Sequence, residues 1–426
     1  MTERAYKYRF YPTQAQENLL RRTMGCVRLV YNKALDARTK RWYKNQERVS
    51  YSKTSSMLTA WKKTEDLSFL NEVSCVPLQQ CLRHLQGAFA NFWGKRTKYP
   101  RFKAKRNGGS AEFTRSAFKY QSAYADSPTE GRRSLEAAAF PKGSRDAPAS
   151  APAFGRLTLA KCKEPLNIVW SRFLPFGCSP STVTVKLEPS GRWFVSLLVN
   201  DPTVKPFPKS GKQVGIDAGI SRLITTSDEA KISNPKHFNR LYQKLRRAQK
   251  ELSRKTKGSN NRYKARLKVA RIHARIKDGR TDFLHKLTTD LVRTYDLIAI
   301  EDLAVRNMTR NRKLARSISD AAWGEMFRQL EYKCEWYGKD LVEIDRFFPS
   351  SKRCNHCGYV MDARWSVPPF RRNVDALQGM PLSVRSWDCP SCGTKGIDRD
   401  VNASKNILAA GLAVKVCGAT RDAKRL

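Results

Sequence analysis

Acidic residues are the scarce class in this sequence. Only 38 Asp and Glu stand against 81 Lys and Arg, a formal net charge of +43 over 426 residues. A chain so unbalanced repels itself unless it neutralises a polyanion, which excludes an ordinary charge-balanced metabolic enzyme. Histidine is scarcer still. The five (His84, His237, His273, His285 and His356) form no closely spaced pair, so nucleases of the HNH or HUH type are excluded. Long apolar runs are missing, and nothing approaches the ~18 residues that span a bilayer. Residues 1–8 lack the apolar stretch of a secretory signal, so the expected place is the cytoplasm. Yet 40% of the residues are hydrophobic, nine of them Trp, which is too many for charge-driven disorder. The length suggests roughly two to four domains, each with a real core.

Cysteine is present in an odd number, eleven, which argues against a disulfide framework. Four fall in two tight pairs, Cys354-x-x-Cys357 and Cys389-x-x-Cys392. Each turn can aim two thiolates at one tetrahedral ion, so the pairs predict a closed four-sulfur Zn²⁺ site. Such a site is structural, because no coordination position is left for substrate. The 31 residues between the pairs include Pro368-Pro369 and Gly379-Met380-Pro381, which suggests a surface insertion. The other seven cysteines are scattered and read as small buried hydrophobes or free thiols.

The chain changes character along its length. Tyr6, Tyr8 and Phe10 alternate with Lys7 and Arg9, the period of a half-buried strand. Thr13 and Gln16 have the spacing of a capping box. Leu20, Met24, Val27, Tyr31 and Leu35 then recur at helical spacing, as do Leu78, Leu82, Leu85, Phe89 and Phe92. Residues 12–105 are therefore expected to be a helical unit. Residues 107–156 are rich in Ser, Ala, Gly and Pro and read as a flexible insertion. Val183–Leu187 and Trp193–Val199 flank a Pro-Ser-Gly turn, a hairpin that the N-terminal strand could join in a small β-barrel. From Val214 the pattern is α/β. Residues 236–280 carry 17 Lys and Arg against two acids, with Leu241, Leu245, Ala248 and Leu252 on one stripe. That much charge on a helical hairpin suggests a nucleic-acid groove rather than a plain solvated face.

Three acids sit at the ends of apolar elements: Asp217, Glu301 and Asp400. Singly, each has an ordinary explanation as a turn residue, an ion-pair partner or a helix cap. Together, on two strands and a helix start, they are the set an RNase H-like fold supplies. Such carboxylates hold two Mg²⁺ ions for phosphodiester hydrolysis, one activating water and one steadying the leaving oxygen.

Several segments converge on one family. They are Tyr6-Lys-Tyr-Arg-Phe-Tyr-Pro-Thr-x-x-Gln16, Gly25-x-x-Arg28-x-x-Tyr31-Asn32, Gly215-Ile-Asp217-x-Gly219, Ile300-Glu-Asp-Leu303 and Asp398-Arg-Asp400-x-Asn402-Ala403. Ser317-x-Ser319-Asp320-x-x-Trp323, Phe348-Pro-Ser-Ser351 and the cysteine pairs just before the last motif add to them. The sequence resembles the TnpB (OrfB-type) proteins of bacterial insertion sequences, related to type V CRISPR effectors, over almost its whole length. The resemblance implies a multidomain α+β protein. It would have a split oligonucleotide-binding-like (WED) β-barrel at 1–11 and 106–208 and a helical REC unit at 12–105. An RNase H-like RuvC nuclease would follow at 209–426, its zinc element at about 350–396.

By the same resemblance, Asp217, Glu301 and Asp400 are catalytic, with Asp398 supporting. The implied activity is RNA-guided cleavage of double-stranded DNA, with one chain per guide RNA transcribed from the transposon end. Tyr51, Ser55 and Gln79 match positions that read a short transposon-adjacent DNA motif. Gln can pair with adenine, although a polar surface helix would carry the same residues. The alternatives left open are an RNA-guided repressor without cleavage, an RNase H-like transposase and a plain RNA-binding protein.

Overall fold

The computed structural model describes residues 2–105, 108–122, 155–361 and 384–417, in two compact units, Met1–Thr203 and Val204–Leu426. The architecture is α+β and multidomain, with a helical region in the first unit.

In the first unit, strand β1 (Thr2–Tyr11) buries Tyr6, Tyr8 and Phe10, as the alternation predicts. It pairs antiparallel with β7 (Trp193–Asp201) from Thr2↔Asp201 to Phe10↔Trp193. With β2 (Gly109–Thr114), β5 (Asn167–Val169) and β6 (Thr182–Leu187) these strands form a sheet in the order β2-β6-β7-β1-β5. Its ladders leave β2 and β5 as edges, so hydrogen bonding among the described residues does not close the expected barrel. The stretch expected to be a flexible insertion begins with structure. Ala111 and Phe113 are buried in β2, and β3 (Phe118–Gln121) pairs with β4 (Arg156–Leu159). Their apolar positions are few, but they alternate. Residues 123–154 of that stretch lie outside the described residues.

Helix α1 (Gln14–Asn45) starts on the predicted capping box, with Thr13 and Gln16 bonding each other's backbone. Leu20, Met24, Val27, Tyr31 and Leu35 are all buried. Helix α2 (Tyr51–Lys63) begins on a Ser50 cap, and α3 (Cys75–Trp93) buries Leu78, Leu82, Leu85 and Phe89. Sheet and helices share one hydrophobic core.

In the second unit, β8 (Gln213–Ala218), β9 (Arg222–Thr226), β10 (Lys231–Ser233), β11 (Leu297–Glu301) and β12 (Asp340–Ile344) lie in the order β10-β9-β8-β11-β12. The first three are antiparallel neighbours, whereas β11 runs parallel to both β8 and β12. The basic hairpin is α4 (His237–Ser253) and α5 (Asn260–Thr294), closed by Leu245, Ala248, Ile272 and Ile276. After the short helices α6 (Val305–Met308) and α7 (Ala315–Ala321), α8 (Trp323–Tyr337) contributes buried Trp323, Met326 and Leu330. Two-residue strands β13 (Ser386–Trp387) and β14 (Ile397–Asp398) then lead into the last helix, α9 (Arg399–Val416).

Helix α9 lies directly on the sheet because glycine allows it. A Cβ on Gly215 in β8 would sit 2.1 Å from the Ser404 carbonyl oxygen. A Cβ on Gly411 would sit 2.6 Å from that of Ala299 in β11. This close approach sets the start of α9 near the ends of β8 and β11.

Candidate active site and four-cysteine centre

Asp217 sits near the end of β8 and Glu301 ends β11. The two strands pair in parallel up to Ile300↔Ile216, so the acids follow at the same level of neighbouring strands. Asp400 lies in the first turn of α9. Burial, together with the charges of Glu301 and Asp400, pushes the Asp217 carboxyl up to about 8, against an ordinary 3.8. Arg399 and Arg385 partly counter this. The structure therefore brings the three acids into one electrostatic neighbourhood.

Burial also raises Glu301, and the Ser350 hydroxyl, which donates to its Oε1 at 2.5 Å, opposes the shift. Arg385 stands 3.5 Å from Asp400. The helix cap is Asp398, whose Oδ1 accepts from the N–H groups of Asp400 and Val401 at 3.1 and 3.0 Å. Lys231 holds its other oxygen at 2.5 Å. Asp398 thus takes the capping job that Asp400 could have had, and the Asp400 carboxylate is left for other partners.

The cysteine pairs form two matching knuckles. In each, the N–H of the residue after the second Cys bonds back to the first Cys carbonyl: Gly358 to Cys354 at 2.9 Å, Gly393 to Cys389 at 3.0 Å. Both glycines have positive φ, +80° and +71°, where a side chain would be strained. The four Sγ atoms lie within 4.8 Å of one another, the one cluster among the described residues close enough to hold a single ion. Two opposing pairs stand 3.8 Å (Cys354–Cys392) and 3.6 Å (Cys357–Cys389) apart. A tetrahedron with metal–sulfur bonds of ~2.3 Å has edges of ~3.8 Å, whereas a disulfide closes to ~2.05 Å. The centre therefore fits one tetrahedral metal ion. Thr394 holds the Cys392 thiol down to about 6, and burial pushes Cys389 up to about 11. The loop expected between the knuckles falls largely on residues 362–383, outside the described residues.

The metal knuckle is tied to the acids. Asn402 on α9 accepts from the Asn355 N–H at 2.9 Å and donates to the Arg353 carbonyl at 2.7 Å. Asn406 donates to the carbonyls of Ser350 and Arg353 at 2.9 and 2.6 Å. Ser350 is the residue that holds Glu301. Sequence reasoning named Ser350 and Asn402 only as parts of motifs. It missed Arg385 and Asn406, which carry no signal in the sequence.

In the first unit, the structure brings Tyr51, Ser55 and Gln79 together. Gln79 Oε1 accepts from the Tyr51 hydroxyl at 3.1 Å and the Ser55 hydroxyl at 3.2 Å. The Arg83 guanidinium lies 5.0 Å from the Tyr51 ring centre.

Comparison with known proteins places this arrangement. Three family models match: one described as "Probable transposase" over residues 185–312, the Cas12f1-like TNB domain over 323–407, and a "Helix-turn-helix domain" over 1–47. Over that last span the chain forms one strand and one 32-residue helix, not a pair of helices. A Streptomyces pristinaespiralis protein named "Putative RNA-guided DNA endonuclease" is 54% identical over 98% of this chain and 91% of its own length. Escherichia coli K12 has a relative named "Putative RNA-guided DNA endonuclease InsQ", 31% identical over 97% of this chain and 94% of its own. The fold is similar to that in the cryo-EM structure of the Cas12f1-sgRNA-target DNA complex. That match has a TM-score of 0.50 at 13% identity and covers 93% of this chain and 83% of the other.

The fold and the sites define a multidomain α+β protein with a clustered acidic centre and a four-cysteine cluster able to hold one metal ion. The chain belongs to the TnpB (OrfB-type) family of insertion-sequence proteins. Among its described residues, no helix is long and apolar enough to cross a membrane.

Proposed function

We propose that this protein is an RNA-guided DNA endonuclease encoded by a transposon. It binds a guide RNA from the transposon end, one chain per RNA, and cuts double-stranded DNA that the guide matches. The electrostatic proximity of Glu301 and Asp400 to the buried Asp217 carries this reading, in a chain 54% identical to a protein named for that activity. The net charge of +43 supports it, since a guide and a heteroduplex present many phosphates. The order β10-β9-β8-β11-β12, with one parallel addition on each side of β11, supports an RNase H-like (RuvC) assignment for residues 209–426. Residues 1–11 and 106–208 are then the WED domain and 12–105 the REC unit. Tyr51, Ser55 and Gln79 would read the adjacent DNA motif.

The donor set at the acids fits Mg²⁺. Asp217, buried and raised by the charges of Glu301 and Asp400, marks a site whose repulsion a divalent cation relieves. The three carboxyls do not converge on one point as the thiols do, and a two-ion site of ~3.5–4 Å separation does not require it. When bound, Mg²⁺ supplies Lewis-acid activation of water and charge stabilisation at the scissile phosphate. The protein's part is to fix the carboxylates. Ser350 fixes Glu301, Asp398 and Lys231 fix the helix that presents Asp400, and Gly215 lets that helix approach Asp217. Zn²⁺ is the proposed ion of the four-cysteine centre, in a structural role.

The test is to express the chain with its flanking DNA and sequence the RNA that copurifies. The matched duplex is then offered to the complex with Mg²⁺ and with EDTA. Guide-directed, Mg²⁺-dependent cutting is expected. Tight guided binding without cutting would instead make the protein a repressor.

A further inference from the structure

The helical region of the first unit holds a cavity of about 320 Å³ that the proposed chemistry does not use. Arg38 and Trp42 line it from α1, Phe89, Phe92 and Trp93 from α3, and Tyr99 from the segment that follows. Arg38 is only 4% exposed. Its Nη2 donates to Gln86 Oε1 at 2.6 Å, and its guanidinium packs 5.0 Å from the Phe89 ring centre. Its Nε and Nη1 are buried and find no partner among the described residues. Those two donors have almost no surface open to the cavity, so Arg38 braces its wall and Arg48, which also lines it, is the exposed cation there.

The cavity walls are rings that brace one another. Tyr99 meets Phe89 and Phe92 edge-on at 5.6 and 5.3 Å, and Phe89 lies 5.5 Å from Trp93. Trp42, Trp93 and Tyr99 are nonetheless 41%, 47% and 42% exposed, which is unusual for three large rings at one spot. Arg48 lies 5.6 Å from the Trp93 ring centre. The ligand this site fits is flat, stacks on aromatic faces and carries acceptor atoms for a guanidinium.

We propose that this cavity captures an unpaired nucleotide of the bound RNA, its base against the exposed rings and its acceptor atoms toward the exposed Arg48 guanidinium. Nucleobases combine a π-face with carbonyl and ring-nitrogen acceptors, and aromatic and arginine planes are what splayed-out bases stack on. RNA is the favoured source. A folded RNA displays unstacked bases in loops and bulges before any target binds, whereas duplex DNA offers unpaired bases only once the guide has opened it. The inference rests on the RNA-guided reading and assigns that RNA one protein contact.

Ultraviolet crosslinking of the copurified protein–RNA complex, with mass spectrometry of the crosslinked peptides, tests it. The expected result is an RNA mononucleotide on Trp42, Trp93 or Tyr99. In titrations of the full chain with its RNA, Trp93→Ala should weaken binding roughly ten-fold or more. Trp93→Phe should restore much of it. Arg48→Met, at an exposed position, should weaken binding at an unchanged melting temperature. Wild-type RNA affinity in Trp93→Ala and Arg48→Met, with no crosslink at the three rings, would overturn the proposal. So would crosslinks there to the DNA target alone. Guided cutting by the wild-type complex in the same preparation separates failure of this pocket from failure of the functional reading.

Discussion

Ser350 donates its hydroxyl hydrogen to Glu301 at 2.5 Å while its carbonyl accepts from Asn406 on α9, the helix that carries Asp400. One residue thereby links the end of β11, the first cysteine knuckle and the last helix. The acidic centre and the metal knuckle are mechanically one assembly, although Glu301 and Asp400 are 99 residues apart.

Ser350→Ala should act on Glu301 rather than on folding. The hydroxyl lowers a carboxyl that burial raises, so its loss moves the Glu301 pKa upward. The acid limb of the cleavage pH profile should shift to higher pH, with RNA affinity unchanged. A pH profile of guided cutting for both proteins checks this, and superimposable limbs would remove Ser350 from the account.

Cys389→Ser takes one thiolate from the four-sulfur shell. Bound zinc should fall well below one per chain, and the melting temperature of the second unit should drop. The knuckle also anchors Asn402 and Asn406, so the lost order should reach α9 and slow cutting. Metal analysis and thermal unfolding measure it, and normal zinc with normal melting would contradict the assignment.

Gly215→Ala places a methyl group where the Ser404 carbonyl oxygen stands, at 2.1 Å. Backbone cannot yield there as a side-chain tip would, so the predicted cost is about 3 kcal/mol. Alanine at Gly324, whose Cβ would meet nothing within 4 Å, is the neutral comparison. Chemical denaturation of both variants decides the point.

Asp296 carries a pH signature of stability. The buried Lys339 ammonium and the N–H groups of Ser210 and Gly211 hold its carboxyl down to about 2, against an ordinary 3.8. A depressed pKa gives stability that is present above the unfolded value and lost as pH falls through the folded one. The melting temperatures of the wild type and Asp296→Asn should differ at neutral pH and converge as pH falls from about 4 to about 2. A constant gap over that range would show that the pair adds no pH-dependent stability.

Much of this was legible in the sequence, where a local rule applies. The capping box at Thr13 and Gln16, the alternation of Tyr6, Tyr8 and Phe10, and the paired cysteines are short-range patterns whose physics fits in a few residues. Helix α2 lies within the expected helical unit but carries no stripe to mark its limits, because it buries only Thr54 and Leu58. Strand β2 hid in a low-complexity stretch, because Ala111 and Phe113 are its only buried residues. The division between Asp398 as cap and Asp400 as a carboxylate that does not cap depends on the direction in which α9 starts, which spacing alone does not specify. The approach of Arg385 to Asp400 and the convergence of Trp42, Trp93 and Tyr99 around Arg38 arise from tertiary packing across distant segments.

The central claim is that Asp217, Glu301 and Asp400 form the cutting centre of an RNA-guided nuclease. The most direct measurement compares guided cleavage and guided DNA binding by the wild type with Asp217→Asn and Asp400→Asn, each purified with its RNA. The account predicts that cutting falls by at least about a thousand-fold in both variants while RNA content and target affinity stay at wild-type levels. Cutting that persists in either variant would contradict it.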